Sequence, residues 1–284
     1  MKRFHSLGIS CIISLALTTT PSEAILVDLD TNANNLANVL ASGATGLTVT
    51  GSTLSGQSTN GAVSSGTYTN ASGTYGIGDG VILSTGNVSN YGDGLNTSPS
   101  TAAFYSVPAT AAQEALLDPI TGGGFDHFDV TQLDIDFTTT TGEVFFDVVF
   151  GSEEYDEFVN SAFIDGFGLY LNGTNIAEVG GLPVNINHHD MTFLAGTELD
   201  GILAPGGDPL LTFGMTGLDT SSGHTLTFIV ADTSDENLDT TVYLASLRGT
   251  EEPVPPEAPV PAAIWLFGSG LIGLYGIAWR KKTA

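Results

Sequence analysis

Glu143-Val-Phe-Phe-Asp-Val-Val-Phe150 decides the fold. A near-continuous run of β-branched and aromatic residues marks a strand buried on both faces. The stretch before it, Phe128 to Phe137, sets Val130, Gln132, Asp134 and Asp136 against Leu133, Ile135 and Phe137. That two-residue alternation is a strand with one face in a core. Strand-like runs recur downstream at Phe163–Leu171, Asn175–Val179, Val184–Asn187, Leu210–Met215, His224–Ala231 and Thr240–Leu247. Asn172-Gly173 reads as a two-residue hairpin turn. Upstream, Gly46–Thr50 and Asp79–Ser84 add two more strands. Helical spacing is confined to two places. One helix is capped by Thr31, carries Leu36, Val39 and Leu40, and stops at Gly43; the other covers Ala109–Leu117 and ends at Asp118-Pro119. Short strands separated by Gly, Asn, Asp and Ser turns predict a mainly β chain, an antiparallel β-sandwich of jelly-roll type.

The two ends carry different signals. Lys2 and Arg3 precede the apolar stretch Leu7–Leu17, and Ser22 and Ala24 follow it. A basic start, a short apolar run and small residues two positions apart predict a signal peptide over residues 1–24, cleaved after Ala24. At the other end Ala262 to Trp279 is uncharged for 18 residues, and Arg280, Lys281 and Lys282 follow. At 1.5 Å per residue that is roughly 27 Å of helix, just enough for a hydrocarbon core. Trp265 and Trp279 sit near its ends as interfacial aromatics do, and the basic cluster marks the cytoplasmic side. The expected order is therefore a signal peptide (1–24), a sandwich body (25–250), a Pro/Glu-rich stalk (251–261), a transmembrane helix (262–279) and a basic tail (280–284). The tail resembles the PEP-CTERM sorting signals, through Val260-Pro-Ala-Ala-Ile-Trp-Leu-Phe-Gly-Ser-Gly-Leu-Ile-Gly-Leu274. The resemblance implies cleavage by an exosortase-type membrane peptidase and association with exopolysaccharide. The sorting motif would comprise Pro256, Glu257 and Pro259 with Arg280, Lys281 and Lys282, although Ala258 interrupts Pro-Glu-Pro.

Composition bounds what the body can do. The chain holds 31 Asp and Glu against 6 Lys and Arg. Only Glu23 among the acids precedes residue 25, and five of the six basic residues lie at the ends, so residues 25–257 keep 30 acids, Arg248 and a charge of about −29. Such a surface repels nucleic acid and anionic lipid. Self-repulsion of this size also opposes folding, and bound cations relieve it. Calcium is therefore the expected ligand before any motif is read. Cys11 is the one cysteine and lies in the signal segment, so neither disulfides nor thiolate sites are expected in the body.

Two acidic clusters are the candidate sites. Glu153, Glu154, Asp156 and Glu157 follow the buried strand directly, and Asp165 lies where the next strand would return beside Glu153 and Glu154. Asp232, Asp235, Glu236, Asn237 and Asp239 occupy the connection between the last two strands. Calcium takes six to eight oxygens from carboxylates, amides and carbonyls on loops. The expected ligands are thus Glu153, Glu154, Asp156, Asp165, Asp232, Asp235 and Asp239, in one site or two neighbouring ones. His188-His189-Asp190 offers imidazoles, but adjacent strand residues point to opposite faces and would not share a metal.

The body also resembles the choice-of-anchor L domain, a bacterial surface family, between about Thr31 and Gly249. The resemblance rests on Gly78-Asp-Gly-Val-Ile-Leu-Ser-Thr-Gly86, Phe150-Gly-Ser-Glu-Glu-Tyr-Asp-Glu-Phe158 with Asp165-Gly-Phe-Gly168, and Ile229-Val-Ala-Asp-Thr-Ser-Asp-Glu-Asn-Leu-Asp239. It implies surface display and no enzymatic activity. The chain lacks Gly-x-Ser-x-Gly and His-Glu-x-x-His. The expectation is an exported, non-enzymatic surface or matrix protein, calcium-stabilised and held in the membrane until its tail is processed. Two alternatives stand beside it: an exopolysaccharide-binding module using exposed Tyr and Asn residues of the long loops near Tyr91 and Tyr105, and a secreted glycosidase working with paired carboxylates.

Overall fold

The computed structural model of the chain describes residues 25–59, 61–92, 101–193 and 198–250. The expected signal peptide, stalk, membrane helix and basic tail lie outside the described residues. Among the described residues no helix is long and apolar enough to cross a membrane. In chain order the principal strands are β1 (Leu26–Leu29), β2 (Leu47–Ser55), β3 (Ser65–Thr69), β4 (Gly80–Ser84), β5 (His127–Thr139), β6 (Glu143–Ser152), β7 (Gly166–Leu171), β8 (Leu182–Asn185), β9 (Gly201–Leu203), β10 (Leu211–Thr216), β11 (His224–Thr233) and β12 (Thr240–Arg248). Helix α1 (Ala33–Leu40) lies between β1 and β2, and α2 (Ala111–Thr121) precedes β5.

The strands form two antiparallel sheets. One runs β1-β3-β4-β12-β6-β9, with β10 also on β6; the other runs β8-β7-β11-β5-β2. Successive long strands step from one sheet to the other. Strands β4-β12-β6-β10 therefore oppose β5-β11-β7-β8, the order of a jelly roll.

The alternating residues of β6 explain its near-continuous hydrophobicity. Val144, Phe146, Val148 and Phe150 face the inter-sheet core, against Leu133, Ile135 and Phe137 of β5 and Leu226, Phe228 and Val230 of β11. The Phe146 and Phe228 rings meet edge-on at 5.5 Å. Val149 points the other way, into a second apolar cluster with Ile82, Tyr243, Tyr68, Tyr75 and Tyr91. A third cluster forms where Leu117 and Ile120 of α2 cover Val130, Tyr170 and Ile229 on the second sheet.

Several boundaries differ from the sequence reading. Helix α1 is capped by Asn32, whose Oδ1 accepts from the Asn34 and Asn35 amides, and not by Thr31. Helix α2 opens with a Thr110–Gln113 capping box, continues through Pro119 and ends at left-handed Gly122. In the last turn Pro removes a single backbone hydrogen bond, and the packing of Leu117 and Ile120 on the sheet carries the helix past it. Strand β7 begins at Gly166 rather than Phe163, β8 begins at Leu182, and the Asn175–Val179 stretch splits into two short pairings. Strands β1 and β3 were not anticipated. Ser65-Gly-Thr-Tyr-Thr69 has too few apolar residues to alternate, and its partners β1 and β4 define it instead.

The single basic residue of the body is spent inside it. Arg248, 2% exposed, donates from Nη1 to Asp147 Oδ2 at 3.1 Å and to the Ser246 carbonyl at 3.0 Å. Asp147 also accepts from the Thr212 hydroxyl at 2.8 Å. Removing one partner of a buried pair strands the other charge, at a cost of about 3–5 kcal/mol. Urea denaturation of Arg248→Met should show that loss, and adding Asp147→Asn should recover most of it. A single mutant as stable as the parent would show that the pair is not buried in solution.

Candidate metal centre

Both acidic clusters lie at one pole of the sandwich because the strand ends bring them there. Glu153 and Glu154 directly follow β6, Asp165 directly precedes β7, Asp232 is the penultimate residue of β11 and Asp239 directly precedes β12. All five side chains are buried. The backbone ties the loops together: the Glu153 amide donates to the Asp239 carbonyl at 3.1 Å, and Asp239 donates to the Thr101 carbonyl at 3.1 Å.

The five carboxylates form a chain of mutual repulsion. Asp232 feels Asp165 on one side and Asp239 on the other. Asp239 repels Glu153, and Asp165 repels Glu154. Burial comes first in every case: it pushes Glu153 and Glu154 up to about 9, Asp165 to about 8 and Asp239 to about 7, and it drives Asp232 well above the ordinary carboxylate range.

Hydrogen bonds satisfy only part of the set. Asp239 accepts from the Tyr91 hydroxyl at 3.1 Å and the Ala103 amide at 3.0 Å. Asp165 accepts from the Thr233 amide at 2.8 Å, and the Thr240 hydroxyl stands 2.8 Å from both Asp165 Oδ2 and Ser152 Oγ. Glu153 is 0% exposed, and neither of its carboxylate oxygens closes a hydrogen bond, although the Thr101 backbone amide offsets its shift in part. Glu154 Oε2 and Asp232 Oδ1 are also buried without a partner. A buried carboxylate that lacks donors stays neutral or faces a cation. Ser152, Thr85 and Thr240 add buried hydroxyls around these oxygens. Hard oxygen donors of this kind fit calcium, not a softer metal.

Gly86 makes room for this arrangement. A Cβ there would fall 1.6 Å from Asp239 Oδ2, so the carboxylate lies directly on the glycine backbone. The Gly at the end of the Gly78–Gly86 motif is thus a sequence signal of the site. Asp129, whose two oxygens accept the Tyr105 and Val107 amides at 2.9 Å, also feeds charge into the pole; the sequence reading missed it.

Not every expected ligand joins the buried group. Asp235 is only half-buried and bonds to Asn237, closing a turn beside Glu154 and Asp165. Asp156 is exposed and lines a surface cleft with Tyr155, Glu157 and Asp200. Tyr91 and Tyr105 are not free sugar platforms. Tyr91 is buried beneath Asp239, and the Tyr105 hydroxyl donates to the Gly86 carbonyl at 3.0 Å.

Among the described residues, two groups of three place their ligating atoms within 4.8 Å of one another: His188, His189 and Asp190, and Glu114, Asp118 and His127. The buried acids are not gathered so tightly, so an ion among them would also draw on hydroxyl and carbonyl oxygens. His188 and His189 occupy a turn, not a strand, and their rings stack at 4.7 Å, contrary to the expectation of opposite faces. Yet buried His188 uses both ring nitrogens on the backbone, donating from Nε2 to Val179 and accepting at Nδ1 from Asp190. Thr121, His127 and Glu114 are arranged in the order of a nucleophile, base and acid, at 3.0 and 2.5 Å. Thr121 and His127 are both buried, and their hydrogen bonds fasten α2 to β5.

The chain belongs to the choice-of-anchor L domain family, whose model matches residues 26–193. The matched segment is shorter than the resemblance from Thr31 to Gly249; it includes Glu153, Glu154 and Asp165 and stops before β9 to β12. Membership places the protein among cell-surface or exported proteins. No curated protein sequence matches the chain. Among solved structures it is similar to the catalytic unit of a thermostable GH87 alpha-1,3-glucanase from Streptomyces thermodiastaticus strain HF3-3, at 12% identity and a TM-score of 0.16, over 58% of this chain and 29% of that one. The chain thus spans less than a third of that structure, and a likeness so slight carries no argument about fold or activity.

The pH dependence follows from these shifts. An acid whose folded value is raised binds its proton more tightly in the folded state. Stability is then greatest below the unfolded carboxylate range, near pH 4, and falls as pH rises toward the folded values of about 7 to 9. In excess chelator, melting temperature should fall steadily between pH 4.5 and 9. A rise over that range would mean that these acids are not buried uncharged.

Proposed function

We propose that the body is a calcium-stabilised surface or matrix domain without an enzymatic role. The supporting observation is the pole of five buried carboxylates, with Glu153 unpartnered at both oxygens. Glu153, Glu154, Asp165, Asp232 and Asp239 would hold the ion or ions, with Ser152, Thr85 and Thr240 as neutral donors. Bound calcium supplies the positive charge that lets these acids ionise. The residues of the pole do the rest: they join the ends of β6, β7, β11 and β12, and Tyr91 and Gly86 hold Asp239 in place.

The ends of the chain complete the proposal. Residues 1–24 direct export, and residues 251–284 act as a PEP-CTERM-like sorting signal that an exosortase-type peptidase removes near Pro256–Pro259. The mature protein then reaches the cell surface or an exopolysaccharide matrix. The four glycines at 268, 270, 273 and 276 suit a helix that is unwound for cleavage.

Two measurements test this. Calcium at 100 times its dissociation constant should add about 2.7 kcal/mol, raising the melting temperature of a body this size by about 5–10 °C at pH 7. Magnesium at equal ionic strength should do much less, because it demands tighter octahedral geometry. Glu153→Gln with Glu154→Gln should remove the calcium-specific rise; equal effects of sodium, magnesium and calcium would leave only charge screening. Intact-mass analysis of native protein should show loss of everything after the Pro/Glu region and a start near Ile25. A mature mass running through Ala284 would reject processing.

A further inference from the structure

A second site opens beside the metal pole. Tyr155, Asp156, Glu157, Thr192, Phe193 and Asp200 line a half-open surface cleft of about 400 Å³. Its walls are built, not incidental. The Tyr155 side chain packs directly on Gly201, where a Cβ would fall 2.3 Å from the tyrosine's own Cβ. Thr192 is held in register with Ile202 of β9, which also pairs with β6. Phe193 stands 65% exposed at the rim, the most exposed large apolar side chain among the described residues. The acids share one space: Asp200 is raised first by burial and then by Glu157 and Asp156. Behind the wall, buried Glu153, without hydrogen bonds at its oxygens, feels Asp200 more strongly than any other charge.

The chemistry of these walls selects a ligand. Aromatic faces attract cations and the C–H faces of sugar rings, and separated carboxylates accept from ammonium and hydroxyl donors. A chain of net charge −25 repels uronates and sulfated sugars. A lysine side chain presents one point charge on a flexible stem and leaves most of the spread acceptors unused. A protonated amino sugar matches all the features: a ring for Phe193 and Tyr155, an ammonium group and several hydroxyls for Asp156, Glu157 and Asp200. We propose that this cleft binds amino-sugar units of a polysaccharide that carry a free, protonated amine. Its contacts are distinct from the calcium reading, and it stands if that reading fails.

The test is calorimetric titration of the full chain with a fully deacetylated glucosamine tetramer at 150 mM NaCl, repeated in calcium and in chelator. Binding in both conditions is expected, with at least a tenfold loss for the N-acetylated tetramer. Phe193→Ala and Asp156→Asn, both at exposed positions that leave folding intact, should each weaken binding by tenfold or more. Asp136→Asn, on the exposed face of β5, should leave it unchanged and so exclude attraction to overall charge. A tetralysine peptide that binds as tightly as the sugar, equal affinity for the acetylated tetramer, indifference to Phe193→Ala, or no binding at all would each overturn the proposal. Loss of binding only in chelator would overturn its independence from calcium.

Discussion

Charge balance inside one pole of the sandwich is the constraint on which the rest depends. Glu153, Glu154, Asp165, Asp232 and Asp239 are withdrawn from water together, and each ionised carboxylate so placed costs several kcal/mol without a partner. The body has Arg248 as its sole Lys or Arg, and that side chain is committed to Asp147 on another part of the first sheet. The pole must therefore take up protons or an external cation. Which of the two it does depends on pH, because the folded values rise toward and above neutrality.

The jelly roll turns this local problem into a global one. Strands β6, β7, β11 and β12 start or end at the pole, and they are central strands of both sheets. The loop from Thr101 to Val107 is tied to it as well, through Ala103 on Asp239 and through Tyr105 and Val107 on Asp129. Neutralising the pole joins the ends of the two layers, a task that disulfides perform in many exported domains. Cys11 is the one cysteine, so no disulfide within the chain can join these layers.

The acids of the Glu153–Glu157 segment part company in the fold. Glu153 and Glu154 turn inward under the sheet ends, while Asp156 and Glu157 turn outward to the cleft with Tyr155 and Phe193. One short loop thus faces two environments. The buried side offers hard oxygen donors without hydrogen bonds, and the outer side offers carboxylates beside flat rings. Surface-associated proteins meet ligands through exposed loops carried on a rigid scaffold, and this loop directly follows β6, a strand buried over most of its length.

Sequence alone determined the class of fold. Period-two alternation in β5, the continuous run of β6 and the turn residues between later strands follow from side-chain geometry on a pleated sheet, which is local. It also marked the acidic segments, since four carboxylates in five residues are visible without coordinates. Tertiary structure decided which of them are buried. Glu153 and Asp156 are three residues apart and chemically alike, but one is buried beside Asp239 and the other is exposed, and only the packing of the sheets separates them. The role of Asp129, the seat of Asp239 on Gly86 and the two stacked histidines likewise depend on contacts between residues far apart in the chain or on turn geometry. A local pattern records which residues favour a strand; it holds no record of which distant backbone will press against them.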